Sequence, residues 1–140
     1  MPTTAIAEKG LLVVARFLDG TILKGTTHDF APNKTEFHLH LEGNERSRAV
    51  HVGVESLKAL FFVRSFGGNS QRRDDYAFES VGSQGGRKIR VRFTDGEEIA
   101  GFTAAYSPRK QGFFLVPADS EGNNARVYIL NRAVAKVEWL

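Results

Sequence analysis

The stretch Arg16-Phe17-Leu18-Asp19-Gly20 is written again as Arg92-Phe93-Thr94-Asp95-Gly96, and the reading of these two copies decides the fold. At that spacing of 76 residues about ten pairs are identical, among them Gly25/Gly101, Thr27/Thr103, Pro32/Pro108, Lys34/Lys110, Phe37/Phe113 and Leu39/Leu115. One extra residue near Ala118 moves the spacing to 77, after which Val50 meets Val127, Val52 meets Ile129, Leu60 meets Val137 and Phe62 meets Trp139. Register kept this long marks one supersecondary unit that occurs twice.

Each copy reads as strands. Asp-Gly separates two β-rich runs, Val13 to Leu18 and Thr21 to Thr27, and predicts a hairpin with a tight primed turn, whose central residues need positive φ. Gly25 and Gly101 fall inside the next strand, where glycine marks a bulge, a bend or a close backbone approach. A third strand spans Glu36 to Leu41 and Gly112 to Val116, entered through turns at Pro32-Asn33-Lys34 and Pro108-Arg109-Lys110. A fourth runs through Val50-His51-Val52 and Val127-Tyr128-Ile129. One helical turn then leads to a fifth, Leu60 to Val63 and Val137 to Leu140. The pattern predicts an all-β chain of two tandem five-stranded small barrels, SH3-like or Sm-like, related by internal duplication and packed as a pseudo-twofold pair. Residues 1–10 are a tail, 11–63 the first repeat, 64–87 a linker and 88–140 the second repeat. Tyr76, Phe78 and Val81 give the Gly- and Ser-rich linker apolar anchors suited to docking.

The run from Val14 to Gly25 resembles the first Sm motif, in which a strand, an Asp-Gly turn and a Gly-bent second strand recur. That resemblance implies the fold and not the RNA site. Where the Sm motif continues with an Asp and a Met-Asn pair that contact bases, this chain has Ala31-Pro32-Asn33-Lys34 and Ser107-Pro108-Arg109-Lys110, and the Arg-Gly signature of the second Sm motif is missing. Over nearly its whole length the chain is also similar to a bacterial domain family of unknown function. The resemblance is carried by Leu57 to Val63, by Gly112 to Asp119 and by Asn123 to Arg126, and implies architecture only.

Without cysteine the chain has no disulfide and no zinc–thiolate site. Met1 to Gly10 lacks the basic start and apolar core of a signal peptide, and no apolar run is long enough to span a bilayer, so the expectation is a cytoplasmic protein without membrane contact. The net charge is +3; residues 11–63 carry six basic and six acidic side chains and residues 88–140 eight and six, with signs interspersed. A nucleic-acid binder concentrates Lys and Arg on one face instead.

Strand parity puts Phe37, Leu39, Phe113 and Leu115 in the core. On the opposite parity the copies diverge: His38 and His40 answer Phe114 and Val116, His28 answers Ala104 and His51 answers Tyr128. The second copy is thus apolar on both sides of its third strand and needs a cover, whether the other repeat, the linker or a second subunit. Phe61, Tyr106, Phe114 and Tyr128 are the candidate protein contacts. Arg72, Arg73, Arg90, Arg92, Arg109, Lys110 and Arg126 are the candidate phosphate or nucleic-acid contacts. His38, His40 and His51, with His28, are the only residues spaced for a metal, and partly exposed sheet residues explain them as well. Asp19 and Asp95 are explained by their turns. No nucleophile–base spacing, phosphate-binding loop or helix of useful length is present, so neither an enzyme nor a cofactor is expected. The expected function is a non-catalytic protein-interaction or regulatory module, by partner binding or self-association. The alternative is an Sm-like RNA binder using basic residues between the barrels.

Overall fold

A computed structural model describes residues 10–42, 49–63, 86–118 and 124–140. The residues that follow the repeat form ten strands: β1 (Leu11–Phe17), β2 (Ile22–Thr27), β3 (Glu36–Leu41), β4 (Val50–Gly53), β5 (Leu57–Val63), β6 (Arg87–Phe93), β7 (Glu98–Thr103), β8 (Gly112–Pro117), β9 (Asn124–Leu130) and β10 (Val134–Trp139). One 3-10 turn precedes the last strand of each half, Val54–Ser56 and Asn131–Ala133. The N-terminal tail, most of the linker with Arg72, Arg73, Tyr76, Phe78 and Val81, and the residues that carry part of the family resemblance, Asn123 among them, lie outside the described residues. Among the described residues no helix is long and apolar enough to cross a membrane.

The two hairpins form where Asp-Gly predicts them, with a different turn. Only the glycines have positive φ, 95° at Gly20 and 96° at Gly96. Gly20 N–H donates to Phe17 O at 3.0 Å, and Phe17 N–H donates to Thr21 O at 2.9 Å. Such a three-residue loop ends with glycine in the left-handed region, and it leaves the aspartate in ordinary backbone, contrary to the primed turn expected. The aspartate acts through its side chain: Asp19 Oδ1 accepts the Thr21 N–H at 2.8 Å, and Asp95 Oδ1 accepts the Glu97 N–H at 2.9 Å. In β2 and β7 the glycines allow the neighbouring strand to approach closely. A Cβ on Gly25 would stand 2.1 Å from His40 O, and one on Gly101 2.2 Å from Val116 O.

Strand order is β10-β6-β7-β8-β9-β5-β1-β2-β3-β4, a single antiparallel sheet. Each half has the same internal order, β5-β1-β2-β3-β4 and β10-β6-β7-β8-β9, so the copied unit keeps its topology. The described strands form one sheet that does not close, with the place beside β5 taken by β9 of the other half. One expectation is corrected: the halves are not a pseudo-twofold pair, since a twofold axis would join equivalent strands, whereas the junction joins the fifth strand of one copy to the fourth of the other, head to tail. Its register is Ala59↔Ile129, Leu60↔Tyr128, Phe61↔Val127 and Phe62↔Arg126.

Alternation along β5 and β9 sends successive side chains to opposite faces, and each face meets a different core. Val13, Ala15, Phe37, Leu39, Val52, Val54, Leu57, Leu60 and Phe62 form the first with Tyr128 and Leu130 of the second half. Ile89, Val91, Phe93, Phe113, Leu115, Val127 and Ile129 form the second with Ala59 and a half-buried Phe61 of the first half. The apolar second face of the C-terminal copy is therefore covered by the N-terminal copy.

Candidate functional site

The duplication allows one half to serve as the control for the other. In the first half Phe30, Phe37 and Phe62 make an aromatic cluster: the Phe30 ring centroid lies 5.4 Å from that of Phe37 and 5.8 Å from that of Phe62. Strands β9 and β8 close it: Tyr128 on β9 comes within 5.3 Å of Phe30, and Phe114 on β8 within 6.0 Å of Phe62. Arg126 lays its guanidinium 4.9 Å from the Phe62 centroid and 4.4 Å from that of Phe114, where burial lowers its pKa. Phe62 is left 5% exposed.

The corresponding residues of the second half are Tyr106, Phe113 and Trp139. They repeat the packing, with Tyr106 4.9 Å from Phe113 and 5.9 Å from Trp139. Among the described residues no strand closes the cluster here. Strand β10 ends the sheet, and Trp139 is 41% exposed beside Leu140 at 52%. The Arg87 guanidinium sits 4.3 Å from the indole centroid, in the role Arg126 has over Phe62. The outward parity of β10 carries charge: Lys136 and Glu138 stand where β5 has Ala59 and Phe61, and Glu138 accepts from Arg90 Nη1 at 2.9 Å. Charges on an edge strand discourage indiscriminate pairing.

The junction itself is held by polar contacts at both ends. At one end Lys58 on β5, 6% exposed, donates from Nζ to Asp95 at 2.8 Å and to Glu97, and lies 4.7 Å from the Phe93 centroid. These hydrogen bonds lower the pKa of both carboxylates, and Arg16 adds a 3.3 Å pair with Glu97. At the other end Gln111 Nε2 donates to Pro32 O and Lys34 O at 3.1 and 3.0 Å, and the Tyr128 hydroxyl donates to Pro32 O at 3.2 Å; burial raises the tyrosine pKa. A cleft of about 450 Å³ opens there, lined by Pro32, Asn33, Lys110 and Tyr128 among others.

The candidates named from the sequence are not brought to one place. Tyr128 is 2% exposed and Phe114 half-buried in the first core, and Phe61 is half-buried against the second with Arg16 above it, so these three are junction residues rather than open contacts. Tyr106 alone belongs to the open cluster. Arg92 pairs with Glu98 through Nε and Nη2 at 2.9 and 2.7 Å, Arg109 and Lys110 sit on the exposed turn between β7 and β8, and Arg126 is stacked on aromatics. His38 Nδ1 lies 2.8 Å from Asp29 and His51 hydrogen-bonds Glu36, with the two rings 5.4 Å apart. His40 stacks edge-on against His28 at 5.6 Å. Among the described residues no three His, Cys, Asp or Glu side chains are grouped to hold a metal. Sequence reasoning missed Trp139 and Arg87. The signal was present in the alignment of Phe62 with Trp139 and Phe30 with Tyr106, combined with His51 where the second copy has Tyr128.

The chain belongs to a family of unknown function (DUF6982), whose model matches residues 10–140. No curated protein and no solved structure matches it.

Proposed function

We propose that this family member is a non-catalytic binding module that takes an extended segment of a partner protein along the open edge of β10, over the Tyr106–Phe113–Trp139 cluster. One observation carries the reading: among the described residues the same aromatic cluster is closed by a neighbouring strand in the first half and lies beside an edge strand with no further partner in the second. An edge strand offers unpaired N–H and C=O groups for main-chain hydrogen bonds, and an adjacent apolar pocket supplies selectivity. On this reading each curled half is a small barrel of SH3-like or Sm-like kind, completed in the first half by β9 and in the second by the partner.

Trp139 is the chain's only tryptophan, so its fluorescence reports occupancy directly. Partner binding is expected to shift its emission to the blue and to shield it from acrylamide, and Trp139→Ser is expected to abolish binding with the far-UV circular dichroism unchanged. A partner that binds with Trp139 emission unmoved, and binds the Trp139→Ser chain equally well, refutes the reading. The alternative, nucleic acid in the cleft lined by Lys110 and Tyr128, has less support because Arg90 and Arg92 already hold carboxylates. Its mark would be retention on heparin that falls steeply with salt.

A further inference from the structure

We infer that the segment recognised by β10 carries three consecutive residues in the order basic, aromatic, acidic. The inference rests on the proposed function and names the chemistry of the partner.

The template is the junction within the chain. There Val127, Tyr128 and Ile129 lie opposite Phe61, Leu60 and Ala59 in antiparallel register. The residues of β10 that occupy those three places are Glu138, Val137 and Lys136. Val137 is half-buried against the second core, as Leu60 is buried in the first, so the partner's middle residue points at the open cluster and needs a ring to do there what Tyr128 does over Phe30. Its two neighbours point the other way, at Glu138 and Lys136 instead of at Phe61 and Ala59. Apolar residues complete the internal junction at these places. At β10 they would desolvate charges, whereas a cation opposite Glu138, whose half-exposed carboxylate takes one bond from Arg90 and has a second oxygen to offer, and a carboxylate opposite Lys136 form cross-strand pairs. Because the strands are antiparallel, the cation comes first in the partner's sequence.

A second copy of this chain does not fit. The edge strand at the other end of the described sheet, β4, presents Val50, His51 and Val52 at the three places, setting valines against Glu138 and Lys136. The same charges that select a partner thus oppose head-to-tail growth of the sheet.

The test uses the full chain and two peptides of identical composition, one with Arg-Phe-Glu and one with Glu-Phe-Arg at the centre of a Thr- and Val-rich strand, titrated while Trp139 emission is followed. The first is expected to bind about fivefold more tightly than the second, two cross-strand ion pairs being exchanged for two repulsions. The Lys136→Glu, Glu138→Lys chain is expected to reverse the preference. Equal blue shifts and equal affinities for both peptides overturn the inference and leave the proposed function standing. No shift with either peptide up to millimolar concentration overturns both. Concentration-dependent self-association lost in Trp139→Ser makes a second copy the occupant, and binding that emerges only in Tyr76→Ser, Phe78→Ser makes it the chain's own segment; either result overturns the inference.

Discussion

Asp29 illustrates how much of a loop one carboxylate can hold. Its oxygens accept the His38 N–H at 3.0 Å, meet the His38 ring at 2.8 Å and accept the Thr27 hydroxyl at 3.1 Å. Burial alone raises its pKa, but the hydrogen bonds from His38 and Thr27 outweigh that and bring it from 3.8 down to about 2. A folded pKa below the unfolded one means stability that is present above pH 3.8 and is lost as the pH falls toward about 2. With the side chain about a third exposed, solvent screening reduces the contribution to about 1 kcal/mol. Urea unfolding of the Asp29→Asn chain is therefore expected to show a shallower loss of stability across that interval than the wild type. Parallel pH profiles would remove Asp29 from the account.

At the scale of the element, the decisive strand is β5, which serves two cores. Its Lys58 is buried while Asp95 and Glu97 stay largely in water, so the two sides of this ion cluster are unequal. Removing both acids with Asp95→Asn and Glu97→Gln strands a buried ammonium and is expected to cost about 3 kcal/mol. Lys58→Met returns two exposed carboxylates to solvent, keeps an apolar stem over Phe93, and is expected to cost less than about 1 kcal/mol. Urea midpoints of the two variants decide it, and a lysine variant less stable than the double acid variant contradicts this reading.

The strands themselves were legible. Asp-Gly placed the hairpins, Gly25 and Gly101 the close backbone approaches, and the parity of Phe37, Leu39, Phe113 and Leu115 the inward face. The turn type was not, because Asp-Gly serves both a primed turn and a three-residue loop, and flanking hydrogen bonds choose between them. The pairing of β5 with β9 was not legible either. Tyr128 and Phe61 announce that both halves need covering, yet the same apolar residues would serve a twofold pair, a docked linker or a second subunit. Trp139 escaped notice because an aromatic in a terminal strand reads as core until the strand that should cover it is known to be elsewhere.

At the scale of the whole molecule, the head-to-tail junction joins the two repeats into one sheet with shared interiors. Tyr128 and Leu130 complete the first core and Ala59 with Phe61 the second, so neither half contains all of its own interior. The same operation leaves one unlike edge at each end of the sheet, β4 with His51 and β10 with Trp139, which is why, among the described residues, the aromatic cluster of only one copy stands at an edge. The function proposed for that cluster depends on β9, and no other strand, lying beside β5. Cross-strand backbone NOEs on the uniformly labelled full chain test this most directly. Contacts between Leu60 and Tyr128 and between Phe61 and Val127 are expected; contacts joining β5 to β10 across a twofold axis, or β5 to β4 in a closed first barrel, would overturn the junction.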